Sequence, residues 1–306
     1  MMSTASPADT GRLEVQSVSS DLARRRARPP RSLLVRVALR QYGVGAFLVG
    51  VVALLAILGP IVAPYGVDAQ DLRGRLAGPS IAHLLGTDAL GRDVLSRLLH
   101  GARVSFTITL GATCLAMLFG TTIGLLTGYH GGWLDAVVMR LVDVQLAFPS
   151  LLLALTLAAL LRPSLPILIL VLFIRSWIIY ARLIRASVIS TREREFVEAA
   201  VVAGASSTRI LLRHIAPGSL HLVVIVSTFQ LAELIILEAS LSFLGLGVQP
   251  PTPSWGSMLS EGRPYMTTAW WLAAFPGLAI VLTVLGANIL GDALRDWLDP
   301  RTKREL

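Results

Sequence analysis

The sequence predicts an all-α, polytopic membrane protein with about six transmembrane helices. Three observations carry that prediction. The 306 residues are 54% hydrophobic and 15% charged, with a mean hydropathy of +0.68, which leaves too little polar surface to coat a water-soluble globule of this size. Long apolar runs recur: residues 44–63 and 104–127 each pass without one charged side chain, and about 20 apolar residues in a helix cross a hydrocarbon core of roughly 30 Å. Much of the positive charge sits in the segments between such runs.

Taken in order, residues 1–40 read as a polar tail without a fold of its own, because a segment such as Arg24-Arg25-Arg26-Ala27-Arg28-Pro29-Pro30 cannot bury enough apolar area to order itself. Residues 41–103 hold the first span and a polar segment, turn-rich around Pro64, Gly66, Gly74, Gly78 and Pro79 and amphipathic over 92–100. The core, 104–292, holds five further spans. The second begins at Val104, and a glycine-rich turn at 129–132 leads to a third helical region over 133–161. Pro149 should kink that region, since proline lacks the donor of an intrahelical bond. The short link Arg162-Pro163-Ser164 forces an antiparallel hairpin with a fourth span at 165–186. A polar loop at 187–217 precedes a fifth span at 219–241 and a sixth at 268–290, and 293–306 reads as a charged tail.

The net charge of +8 comes from 26 Arg and Lys303, and its distribution speaks to orientation rather than to nucleic acid. With both termini cytoplasmic, the tail, the turn at 129–140, the 187–217 loop and the C-terminal end carry most of the basic residues on the inner side. The segment 64–103, with five Arg, falls outside and opposes this bias, although Asp68, Asp71, Asp88 and Asp93 accompany those arginines. The first apolar run is long enough to span, which favours an uncleaved anchor over a secretion signal. Cys114 is alone, so neither an internal disulfide nor a cysteine metal cluster is available; within an apolar run it is expected to be a small buried hydrophobe.

The most informative stretch is the 187–217 loop. Residues 192–203 are good helix formers, Gly204 suits the left-handed residue that closes a helix, Ser206 or Ser207 can cap a second one, and Pro217 is expected to end it. The pattern Glu198-Ala199-Ala200, three residues, Gly204, nine residues, then His214-Ile215-Ala216-Pro217 resembles the loop by which ABC-importer permeases dock on their ATPase subunits. Three other segments resemble permeases of the dipeptide/oligopeptide/nickel class: Leu85-Gly86-Thr87-Asp88 through Gly91-Arg92-Asp93 to Arg103; Gly245-Leu246-Gly247 followed by Pro250-Pro251 and Ser254-Trp255-Gly256; and Gly291-Asp292 through Asp299-Pro300-Arg301. Together they cover 42–301 and match the second of the two unlike permeases in such importers. The chain carries Ile178-Ile179 before Tyr180-Ala181-Arg182, where some permeases of that class have Pro-Gly.

The resemblance implies the type I ABC importer permease fold and a coupling role for Glu198, Ala199, Ala200, Gly204, His214 and Pro217. It also implies two ATPase subunits that bind the ATP and Mg, a second permease, and an extracytoplasmic substrate-binding protein, all at a bacterial plasma membrane. No cofactor is expected on this chain, which has no phosphate-binding loop around its one lysine. Peptides lead as cargo, with nickel complexes or other small solutes as the alternative. A membrane enzyme finds no His-Glu-x-x-His or Gly-x-Ser-x-Gly. A secondary transporter finds no inverted half-repeat, and the helix-turn-helix loop argues against it.

Arg175, Glu233 and Glu238 fall inside the spans, where ionisable groups are costly. They read either as the lining of a translocation path or as interhelical ion pairs, with Arg175 and Glu233 a possible couple. Asp88 and Asp93 read as helix-terminal anchors partnered by Arg92 or Arg97 in preference to a metal pair.

Overall fold

The computed structural model describes the backbone of residues 31–298 and side chains from Tyr42 onward. The arginine run at 24–30, Lys303 and Asp299-Pro300-Arg301 lie outside the described residues. Helix α1, Arg31–Val62, starts within the segment expected as tail, and its part Tyr42–Val62 is long and apolar enough to cross a membrane. A loop with one 3-10 turn at Leu72–Gly74 leads to α2, Val94–His130. The amphipathic piece at 92–100 and the second span are therefore one helix, against the expected boundary at Val104. Gly101, inside that helix, lets the ring of Trp255 pack close, 3.2 Å from where a Cβ would stand.

The third helical region breaks completely. Helices α3, Gly132–Leu146, and α4, Ser150–Leu160, meet at 88° across Phe148-Pro149. Proline has no N–H to give and disfavours helix in the residue before it, so α3 ends in a tighter bond, Phe148 N–H to Gln145 O at 3.3 Å, and α4 starts afresh with Leu153 N–H to Pro149 O at 3.0 Å. Helix α5, Leu165–Arg192, begins with Pro166 in its first turn, where the missing donor costs nothing, and runs without interruption past Ile178-Ile179. The short α6, Glu195–Val202, and α7, Ser207–Ile210, follow. A π turn at Leu211–Ile215 then passes into α8, Ala216–Phe243. Helix α9, Trp255–Gly262, packs into the bundle through the buried Trp255 and Met258, and α10, Trp271–Leu298, is the last helix among the described residues. Among the described residues, five helices are long and apolar enough to span, six when α3 and α4 count as one broken crossing.

Small residues bring the helices together. On α2, Ala112, Ala116, Gly120, Gly124 and Gly128 recur every fourth position along one face. A Cβ on Gly124 would stand 2.6 Å from the Ala181 carbonyl oxygen, and one on Gly128 2.8 Å from Val188 Cβ. Between membrane helices this close approach stabilises through van der Waals contact, since lipid is as apolar as the side chains it replaces. Tyr180, Ile184 and Val188 of α5 are fully buried beside that face, with Ile210 and Ile215 beneath them. Gly45 lies against Leu290 and Gly286 against Leu48, so α1 and α10 run antiparallel.

Cys114 is exposed, contrary to the expected burial. Ala112, Thr113 and Ala116 take the inward positions, and Cys114 shares the outer side of α2 with Leu115 and Leu118.

Candidate coupling loop and intramembrane charges

Residues 193–215 form a helical hairpin at the end of the bundle where α2 finishes. Helix α6 closes through two reverse bonds, Gly204 N–H to Val201 O at 2.9 Å and Ala205 N–H to Ala200 O at 3.0 Å. These need a left-handed residue between them, and Gly204 supplies it with φ +77°. Ser206 then caps α7, accepting from Arg209 N–H. Pro217 does not end the second helix. The Ala216 N–H reaches back five residues to Leu211 O, and Pro217 falls in the first turn of α8, where a proline needs no partner.

The hairpin has two faces. Val197, Ile210, Leu211 and Ile215 are buried against the bundle, and Ala200 packs at the edge of that cluster. Glu198, Ala199 and Gly204 are exposed, along with Phe196, Val201 and the 89% exposed Val202. The same face borders a depression of about 680 Å³ shared with Tyr129, His130 and Arg192. His214 sits at intermediate exposure with its Nδ1 buried and unpartnered. The hairpin's root is tied to its neighbours by Arg192 Nη1 donating to Tyr129 O at 2.7 Å. Two turns deeper, Arg185 donates to both carboxylate oxygens of Asp135 on α3, at 2.5 and 2.6 Å.

The opposite end holds the family-like segments together. Asp93 caps α2, accepting from Ser96 N–H at 2.8 Å, while Asp88 accepts from Arg92 Nε and Arg97 Nη1, both at 2.6 Å. Asp88 is therefore the ion-pair partner and Asp93 the cap. Glu261 of α9 completes the cluster, taking Arg92 Nη2 at 3.0 Å and Arg97 Nη1 at 2.6 Å. Gly86 and Gly91 adopt φ +80° and +73°, and a side chain on Gly91 would collide with the backbone of Asp71. Gly245 closes α8 with φ +81°, and Gly247 faces Ser242 so closely that no Cβ fits. Trp255 donates through Nε1 to Leu98 O at 3.1 Å, fastening α9 to α2.

Within the spans the three charges part company. Arg175 Nη2 is in contact with Glu233 Oε1, joining α5 to α8. Glu238 is fully buried and is met by hydroxyls on two helices, Ser105 Oγ at 3.0 Å and Ser242 Oγ at 2.7 Å. It does not join the Arg175–Glu233 pair. Sequence reasoning missed Glu261, Asp135 and Arg185. Glu261 lies 164 residues from Arg97, with no spacing to announce the contact. Arg185 could have been found, since it follows Arg182 on a helix that already carries Arg175.

Residues 120–304 match the family described as "Binding-protein-dependent transport system inner membrane component". The dipeptide transport system permease protein DppC of Alkalihalophilus pseudofirmus is 43% identical over 260 residues, 85% of this chain and 86% of its own. The glutathione transport system permease protein GsiD of Pectobacterium atrosepticum is 43% identical over 269 residues, 87% of this chain and 89% of its own. The di/tripeptide transport system permease protein DppC of Pseudomonas aeruginosa is 41% identical over 265 residues, 85% and 88% of the two chains. With most of its length shared and its helices built to cross a bilayer, the chain belongs to the binding-protein-dependent transport system inner membrane component family, as a multi-pass permease subunit of an ABC transporter.

Proposed function

We propose that this chain is one of two unlike permeases of an ATP-driven importer of peptides, and that its hairpin at 187–217 is the part on which an ATPase subunit seats. The carrying observation is the division of that hairpin: its inner face is locked into the bundle by Val197, Ile210 and Ile215, while Ala199 is exposed and Glu198, Val201 and Val202 are exposed at the edge of a depression. A docking surface has to be exposed to the partner and rigidly joined to the helices it moves. Peptide cargo is supported by the names of the relatives, which are dipeptide, di/tripeptide and glutathione permeases.

In this reading the partners are a second permease, two ATPases and an extracytoplasmic binding protein. ATP and Mg belong to the ATPases, and this chain binds no cofactor. Both termini face the cytoplasm, as does the hairpin, and the Asp88–Arg97–Glu261 cluster faces outward. When the ATPases close on ATP, the hairpin moves with them. The Arg192–Tyr129 and Arg185–Asp135 contacts pass that motion to α2 and α3. Arg175 and Glu233 border the translocation path, whereas Glu238 fastens helices.

The test is co-expression with the neighbouring permease and ATPase genes, followed by ATP-driven uptake of a dipeptide by the native chain and by Glu198→Lys with Gly204→Asp. The double variant is expected to insert but to lose ATPase co-purification or coupled uptake. Solute movement by the chain alone down an ion gradient, with no ATPase bound, would overturn the proposal.

A further inference from the structure

We infer that Glu233 is the point within the membrane where the importer receives the ammonium group of a passing peptide. This rests on the peptide reading above and adds the chemistry of recognition. The Arg175–Glu233 pair is lopsided: the Glu233 side chain is 45% exposed and that of Arg175 16%. Only Oε1 of Glu233 meets Arg175, and Oε2 has no protein partner among the described residues. The positive partner is thus sunk behind the carboxylate, with its Nη1 buried. From the open side the pair presents an acceptor with negative charge.

Its surroundings form a track. Glu233, Ile236, Ser240 and Phe243 lie at positions i, i+3, i+7 and i+10 of α8, one face of a helix. All four are at least partly exposed, and Ile236 is 50% exposed. At the outer end, Arg263 stands over the Phe243 ring at 5.7 Å. A half-exposed carboxylate on such a face belongs against water or protein, because lipid leaves it unsolvated. A carboxylate is an acceptor only, and an ammonium donor makes the short, charge-assisted bond that suits a single free oxygen. Peptides with a free N-terminus carry that group whatever their side chains, so one acceptor serves many sequences.

The test uses the full assembly in proteoliposomes with the exposed Cys114 replaced (C114A) and Ile236→Cys introduced. Reaction of this thiol is followed on the intact chain by mass. Two reagents are compared, 2-aminoethyl methanethiosulfonate, which carries a primary ammonium, and 2-sulfonatoethyl methanethiosulfonate, which carries an anion. Relative to a free thiol, the ammonium reagent is expected to be favoured by about tenfold, a rate ratio well within what one nearby charge supplies. Glu233→Gln should abolish that preference and Glu233→Asp should retain it. If Glu233→Gln fails to assemble, Ser240→Cys, one turn farther away, should show a weaker preference than Ile236→Cys. A thiol at 236 that reacts with neither reagent means that lipid or the second permease seals this face, and overturns the inference. Equal preference with and without Glu233 also overturns it. Dipeptide uptake by the native assembly is read separately: if uptake is present while the preference is absent, the inference fails and the peptide reading stands. If uptake is absent, the peptide reading fails whatever the thiol does.

Discussion

Ser105 and Glu238, 133 residues apart in the chain, meet at 3.0 Å inside the bundle, and the same Ser105 oxygen accepts the N–H of Trp255 at 3.2 Å. One hydroxyl thereby joins α2, α8 and the start of α9. Ser242 adds a second hydroxyl on the other carboxylate oxygen. This is the arrangement of a fastener: every oxygen of the buried carboxyl is occupied by the protein, and none is left for a solute.

Replacing Glu238 should therefore cost stability more than transport. Glu238→Leu strands two hydroxyls in a dry site and is expected to destabilise by about 2–3 kcal/mol; Glu238→Gln keeps one acceptor and should cost about 1 kcal/mol. Thermal unfolding of the purified assembly in detergent measures both. Uptake per folded assembly should be unchanged for Glu238→Gln, and a fall in that rate at native stability would assign Glu238 to the path instead.

The outer cluster should respond unevenly to loss of its members. The Arg97 side chain is 3% exposed and holds Asp88 and Glu261 together, while Glu261 is 37% exposed. Arg97→Met leaves a buried Asp88 with one cation fewer and should cost roughly 2–4 kcal/mol, toward the range for breaking a buried pair. Glu261→Gln, whose charge is partly solvated, should cost less than about 1 kcal/mol. The order of the two melting temperatures checks this, and the reverse order would show that α9, not the 86–93 turn, is the anchored element.

What the sequence disclosed followed the range of the interaction. Gly204 was legible because a left-handed residue answers to its immediate neighbours, and the spans were legible because apolar length is a local property. The Arg175–Glu233 couple was legible through scarcity: few charges stand within the spans, so few pairings were open. Glu261 was not, since nothing near it in sequence distinguishes it from a solvated loop residue. The exposure of Cys114 was hidden for another reason. Helix α2 is apolar on the lipid side and on the packed side alike, so hydropathy carries no phase, and only the small-residue row at 112, 116, 120, 124 and 128 marks the inward face. Pro149 announced a break in α3–α4 but not its angle, which depends on where α4 packs.

That small-residue row makes a packing prediction. Gly124→Val places a branched side chain 2.6 Å from the Ala181 carbonyl and 2.9 Å from Ile184 Cβ, and neither the backbone nor a Cβ can retreat. A cost of about 1–3 kcal/mol is expected, seen as lower yield of monodisperse assembly and a lower melting temperature. Gly111→Ala is the control. Its nearest neighbour would be the tip of Ile169 at 3.3 Å, which can turn aside, so its effect should stay within about 0.5 kcal/mol.

The coupling hairpin permits a separation of folding from docking, because its exposed and buried faces lie on one short helix. Glu198 is exposed and no ion pair holds it among the described residues. Glu198→Lys should therefore leave the melting temperature of the isolated chain unchanged, within the roughly 0.5 kcal/mol typical of surface changes. If an ATPase seats here, reversing the charge should weaken its binding by about tenfold or more, through loss of one attraction and gain of one repulsion. Val197→Ala acts on the other face, which is 2% exposed. It should lower stability by about 1–2 kcal/mol and uncouple ATP hydrolysis from uptake by loosening the hairpin's root, with the ATPase still bound. Titration of ATPase binding alongside thermal unfolding distinguishes the two variants. An ATPase affinity that Glu198→Lys leaves untouched would move the docking surface away from α6, toward the α7 side, where Leu212 is 61% exposed.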